Sequence, residues 1–157
     1  MTFKLSSTAF TDGAEIPVRY TCQGDNASPP LAWSMVPAGT RSLALIIDDP
    51  DAPDARAPKA PWVHWVVFAI PPEVRGLNEN AATNGLPPGA RQGTNDWKKV
   101  AYGGPCPPSG RHRYVHTLYA LDADLPTLAL PTRAELEVAM KGHVLAEARL
   151  VGTFEKR

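Results

Sequence analysis

Asp48, Asp49 and Asp51 place three carboxylates within four positions, and His64, His112 and Tyr114 supply further groups able to hold or pass a proton. A carboxylate beside an imidazole favours the charged ring, and a charged ring donates to an anion. An ionised Asp can accept the proton that a phosphate monoester still carries part of the time near neutrality. Tyr114 adds a neutral donor, and the loop around Gly104 and Gly110 offers backbone N–H groups. The same Asp pair suits an ammonium. The rival chemistry is catalytic, because two Asp and two His could ligate a metal with open positions or serve as general acid and base. However, none of these residues has the short helical spacing of a zinc hydrolase, and no serine occupies a strand-to-helix nucleophile elbow. Ser109 and Cys106 lie near the group without an evident base. On these residues two readings stand, ligand binding and, as the alternative, a hydrolase or metal-dependent enzyme. No catalytic residue, metal ligand or cofactor is assigned.

The elements that must position these groups are short. Leu43 to Ile47 is an apolar run that reads as a buried strand, and it stops in Asp48-Asp49-Pro50-Asp51-Ala52-Pro53. The carboxylates cannot all lie in the core unpaired, so they are expected at the strand's exit, where two prolines end the strand. On these residues alone an ordinary Asp/Pro turn is the plainer reading. Trp62 to Ile70 is the strongest strand, apolar on both faces, with His64 on the face of Trp62 and Val66. A lone histidine there is more simply a core residue than a ligand. In His112 to Leu121, alternation puts His112, Tyr114 and His116 on one face, with His116 left as structural because it lies farther from the loop end.

Around these lie weaker signals. Ile16, Val18 and Tyr20 alternate with Pro17 and Arg19 as an edge strand would. Pro71 to Arg111 is some forty residues without a periodic element, and Trp97 and Tyr102 are the anchors that should fold it back onto the body. Leu130 to Lys141 is the one clear helix, with Thr132 and Glu135 as a capping box and Gly142 as its stop. Val144 to Phe154 reads as a last strand. The tally is an all-β antiparallel sandwich in a single domain, residues 1–157, with one long structured loop and one short helix near the C-terminus.

Composition excludes several classes. Sixteen basic residues balance sixteen acidic ones, so overall charge argues for neither nucleic acid nor an anionic membrane as partner. No apolar run has signal-peptide or membrane-spanning length, which predicts a cytoplasmic protein without membrane insertion. Cys22 and Cys106 are then expected as reduced thiols, and nothing in the sequence says whether they meet in space. Exposed aromatics such as Trp97 could serve a homodimer.

Three motifs, Asp49-Pro50-Asp51-Ala52-Pro53, Trp62-Val63-His64-Trp65, and Gly104-Pro105-Cys106-Pro107-Pro108 leading into His112-Arg113-Tyr114, stand in an order and spacing that resembles the phosphatidylethanolamine-binding protein family. The likeness is to its bacterial, Raf kinase inhibitor-like branch and runs from about Tyr20 to Gly152. It implies a sandwich of antiparallel sheets with a small pocket at one end, walled by Asp49, Asp51, His64, Pro108, His112 and Tyr114. That pocket would bind phosphate and other small anions, including phosphoethanolamine-like groups, and through phosphorylated groups could modulate kinases or other signalling proteins. The resemblance and local crowding also suggest cis bonds at Ala52–Pro53 and Ala60–Pro61. Two departures stand out: the segment from Pro108 to His112 is shorter than in the eukaryotic kinase-binding members, and no helix is evident after Phe154.

Overall fold

The computed structural model describes residues 2–125 and 128–156. Its centre is β3 (Ser42–Asp49), buried at every position. Alternation along this strand feeds two separate cores. Leu43, Leu45 and Ile47 enter one cluster, and Ala44 and Ile46 enter the other. A strand buried on both faces needs a layer on each side, and the chain supplies two different ones.

The main sheet has the order β6-β4-β3-β7-β8, formed by β3 with β4 (Trp62–Ile70), β6 (Arg91–Gln92), β7 (Arg111–Leu121) and β8 (Val144–Glu155). Its pairings are all antiparallel. A smaller antiparallel sheet of order β1-β2-β5 comprises β1 (Lys4–Ser6), β2 (Leu31–Ser34) and β5 (Gly76–Leu77). Leu5, Leu31, Trp33 and Leu77 carry it onto Leu43, Trp65, Tyr114 and Phe154 of the main sheet. On the opposite face lies α2 (Arg133–Met140), which buries Leu136 and Met140 against Ile46, Val66, Phe68 and Leu121. Both halves of the Thr132–Glu135 capping box are formed, and Gly142 follows at φ +83°. The fold is thus the two-sheet arrangement expected from the strand pattern.

Several local expectations are corrected. Ile16 to Tyr20 is not a strand: Val18–Tyr20 makes a 3₁₀ turn that closes through Thr21 N to Val18 O at 3.0 Å. Pro17, which holds a fixed φ, starts that turn rather than marking an edge. Of the two prolines expected in cis, Ala52–Pro53 is cis, whereas Ala60–Pro61 is not among the cis bonds of the described residues. The loop 71–111 contains β5, β6 and a single turn, α1 (Ala81–Asn84), all too short for any periodicity to register. Its anchors hold as expected, with Trp65 and Tyr102 stacked edge-on at 5.7 Å.

The expectation for Cys22 and Cys106 also fails, since the two form a disulfide. The reason is topological. The turn after the 3₁₀ segment lies against the proline-rich loop, joined by Cys22 N to Pro105 O at 3.1 Å and Gly104 N to Asn26 Oδ1 at 2.8 Å. Sequence separation, 84 residues, carries no information about that approach. Among the described residues no helix is long and apolar enough to cross a membrane.

Candidate functional site

The three carboxylates do not sit outside the core at all. Asp48, Asp49 and Asp51 are each at most 9% exposed, and burial is tolerated because each has its own partner from later in the chain. Asp48 turns to the helix side and pairs with Arg133. Asp49 turns to the sandwich side and meets His112 Nδ1 at 2.6 Å. Asp51 is held by Arg113 through a backbone N–H at 2.9 Å and a two-pronged guanidinium contact at 3.0 and 2.8 Å.

A cavity of about 210 Å³ opens at this end of the sandwich. Five of the six residues expected to wall it do so: Asp49, His64, Pro108, His112 and Tyr114. Asp51 is the exception and is corrected here, because its carboxylate is spent on Arg113 and does not line the space. An apolar collar of Ala52, Pro53, Trp62, Trp97, Cys106 and Pro107, not expected from the sequence, completes the lining. Trp97 packs edge-on against both Trp62, at 5.6 Å, and His64, at 4.9 Å. Its only sequence signal was an aromatic residue inside a polar loop.

His64 reaches the cavity through an irregularity that period-2 counting could not see. The β3–β4 register slips between Ile47↔Trp65 and Asp48↔Val63, leaving His64 as the extra residue of a bulge. Val63 and Val66 both face the helix side, while Trp65 enters the sandwich core. His64 therefore does not share a face with Val66, as strict alternation predicts. It lies on the cavity side with Trp62, its ring perpendicular to that of Tyr114 at 5.2 Å.

The bonding of these groups limits their chemistry. Nδ1–H of His64 donates to Gly103 O at 2.6 Å, and burial pushes the ring's pKa down to about 4. His64 is therefore neutral near pH 7 and presents Nε2 as an acceptor. The expectation that it donates to an anion as a cation is overturned. His112 faces oxygens at both nitrogens, Asp49 at Nδ1 and Ser109 O at 3.1 Å from Nε2, so neither ring nitrogen is left for a ligand. Burial raises the pKa of Asp49, opposed by the hydrogen bonds from His112 and from the Asp51 N–H at 2.8 Å. The Gly104 N–H is also committed, to Asn26. A side chain at Gly104 would fall 2.4 Å from Asn26 Oδ1 and Tyr20 O, which is why the loop needs glycine there.

One polar atom remains unmatched. The Tyr114 hydroxyl is buried without a hydrogen-bond partner, alone in this among the buried side-chain polar atoms of the described residues. Burial first, then the charge of the Asp49 carboxylate, which lies close enough to help hold the proton without making a hydrogen bond of normal geometry, pushes its pKa up, so it stays a donor. His116 lies deeper, 2% exposed, packed against Phe10 at 5.6 Å and bonded through Nδ1 to Tyr114 O at 3.1 Å. It is structural, as alternation and position suggest. Among the described residues no three His, Cys, Asp or Glu side chains form a group able to hold a metal ion.

Comparison with known proteins accords with this geometry. The family model of the phosphatidylethanolamine-binding protein matches residues 6–155. A UPF0098 protein of Methanothermobacter thermautotrophicus is 50% identical over 153 residues, covering 97% of this chain and 98% of its own. The crystal structure of a phosphatidylethanolamine-binding protein homologue from Chlamydia trachomatis superposes with a TM-score of 0.89 at 42% identity, covering 99% of each chain. That of E. coli YbcL gives 0.90 at 32%, covering 100% of each. With the match spanning nearly its whole length, the chain belongs to the phosphatidylethanolamine-binding protein family.

Proposed function

We propose that this protein binds small molecules through a phosphate monoester end group, taken in its singly protonated form. The observation that carries the reading is the buried, unpartnered Tyr114 hydroxyl beside a cavity. An unmatched buried donor is costly, and it is retained most simply where a ligand completes it. The residues lining the cavity then offer one donor, Tyr114 Oη, and two acceptors, the Asp49 carboxylate and neutral His64 Nε2. A singly protonated phosphate matches that set: one of its oxygens accepts from Tyr114, and its own hydroxyl donates to Asp49 or His64. Trp62, Trp97 and the prolines shape an apolar collar for whatever the phosphate is attached to. An ethanolamine ammonium could use the same acceptors, so phosphoethanolamine is the natural probe.

Binding is favoured over turnover by the state of the candidate nucleophiles. Cys106 is in a disulfide, and no Ser or Thr lines the cavity among the described residues. Capture of phosphorylated groups would also give the chain a route to act on kinases or other signalling proteins. The disulfide suits an oxidising compartment better than the reducing cytoplasm. A relative from Mycobacterium tuberculosis, 40% identical over 153 residues, carries a lipoprotein name.

Calorimetric titration with phosphoethanolamine, inorganic phosphate and zinc at pH 6 and pH 8 tests the proposal. The second ionisation of a phosphate monoester lies near pH 6. Affinity for the phosphate compounds should therefore fall by about tenfold or more between the two pH values, while zinc gives no heat. Heat with zinc alone would favour the metal-dependent enzyme and sink the phosphate reading.

A further inference from the structure

One wall of the cavity is Cys106, Pro107 and Pro108. Together with Pro105 these make four residues of which three have no N–H. A backbone of this kind cannot be tied down by donating hydrogen bonds, the usual way a loop is held. Upstream the chain is well fixed, with Gly103 N bonded to His64 O at 3.0 Å and Gly104 N to Asn26 Oδ1 at 2.8 Å. Downstream the β7 ladder begins at Arg111. Between them the attachments are Cys22 N to Pro105 O, at 3.1 Å, the contact of Ser109 O with His112 Nε2, at 3.1 Å, and the bond from Cys106 to Cys22, the last being the one that falls within Cys106–Pro108. A second cavity of about 270 Å³ is also lined by Cys106, with Asn26, Asn95 and Lys99. Cys106, the disulfide residue of the wall, is thus shared between the two cavities.

We propose that the Cys22–Cys106 disulfide is a redox-sensitive clamp on the ligand pocket: oxidised, it holds the Cys106–Pro108 wall in the binding arrangement, and reduction frees that wall toward the second cavity and weakens binding. The proposal rests on the ligand-binding reading above. Cys22 acts here as a positioning residue, since it touches no ligand. Its own place is secured independently, by Thr21 Oγ1 donating to Val18 O at 2.8 Å and by Tyr102 Oη donating to Tyr20 O at 2.8 Å. Opening the clamp is a two-electron exchange with a dithiol. One thiolate of the reductant attacks a sulfur of the bridge, the S–S bond breaks, and the second thiolate resolves the mixed disulfide. Cys22 and Cys106 each end as a thiol carrying one proton, and the reductant ends as a disulfide.

The test titrates phosphoethanolamine into the protein oxidised, reduced with dithiothreitol, and as the Cys22→Ser/Cys106→Ser double variant. Circular dichroism and amide hydrogen exchange are followed in each. If the freed wall visits the binding arrangement about a tenth of the time, affinity falls about tenfold in both the reduced protein and the variant. Exchange should quicken at Cys106, Ser109 and Gly110 and stay unchanged at Thr117 in the middle of β7. Equal affinity and equal exchange in the oxidised and reduced forms would overturn the clamp. Loss of the fold on reduction would overturn it too, because the bond would then hold the whole domain and not the wall. If the oxidised protein fails to bind at all, the ligand reading is what fails, and the exchange comparison still decides whether the disulfide holds the wall.

Discussion

Asp48 and Asp49 are neighbours in sequence and face opposite layers of the same sheet. Asp48 points to the helix side, where Arg133 of α2 closes on it, and Glu137 in turn lies 3.5 Å from the Arg133 Nε. Asp49 points to the sandwich side, where His112 meets it but a cavity remains beside the pair. Burial pushes the pKa of both carboxylates up, and in both a basic partner opposes the shift. What separates the regions is completion. The helix side closes around its ion pair, whereas the cavity side retains an unmatched hydroxyl on Tyr114. A buried charge is therefore a poor marker of function, and an unfinished hydrogen-bond network beside a space is a better one.

The sharpest break in this comparison comes on the closed side. Arg133→Ala strands the Asp48 carboxylate in a site that is 13% exposed, and the cost of an uncompensated buried charge is about 3 kcal/mol or more. Urea unfolding should show that loss, while affinity for phosphoethanolamine stays at the parent value. A parallel loss of affinity would mean the two faces are not separate.

Acid attacks the cavity side through its histidines. Burial lowers both His64 and His116 to about 4 from an ordinary 6.5. Below pH 6.5 the unfolded chain protonates them while the fold keeps them neutral, so unfolding takes up protons and stability falls. The loss accumulates between pH 6.5 and about 4, where the folded rings also begin to charge. It amounts to roughly 3 kcal/mol per histidine. Proton-detected titration should find both rings neutral at pH 5.5; a ring titrating near 6.5 would contradict the assignment. A smaller effect is expected at Asp51→Asn, which weakens the pair with the solvent-facing Arg113 by about 1 kcal/mol and leaves ligand affinity unchanged, since Asp51 does not line the cavity.

The large elements were legible because an apolar pattern sustained over eight or more residues is hard to satisfy except by a strand or helix with a buried face. β4, β7, β8 and the capped helix all stand within a few residues of the sequence reading. What was not legible depends on partners distant in sequence. Nothing near Asp48 announces Arg133, and nothing near Cys22 announces Cys106, so burial of the acids and closure of the disulfide were both misjudged. The bulge at His64 defeated the alternation rule at the residue where it mattered most. The site residues were reached through three motifs and not through periodicity, and those motifs could not distinguish Asp49, which lines the cavity, from Asp51, which salt-bridges beside it.

The proposed function requires that the Tyr114 hydroxyl be kept for a ligand and not for the fold. Tyr114→Phe removes that one atom from a fully packed ring. Paired measurements of unfolding free energy and phosphoethanolamine affinity on this variant test the claim directly. Stability equal to or slightly above the parent is expected, because the lost hydroxyl has no partner, together with binding weaker by about 1 kcal/mol, a fivefold change. A variant that binds like the parent but unfolds more easily would contradict it, placing the hydroxyl in the service of the fold.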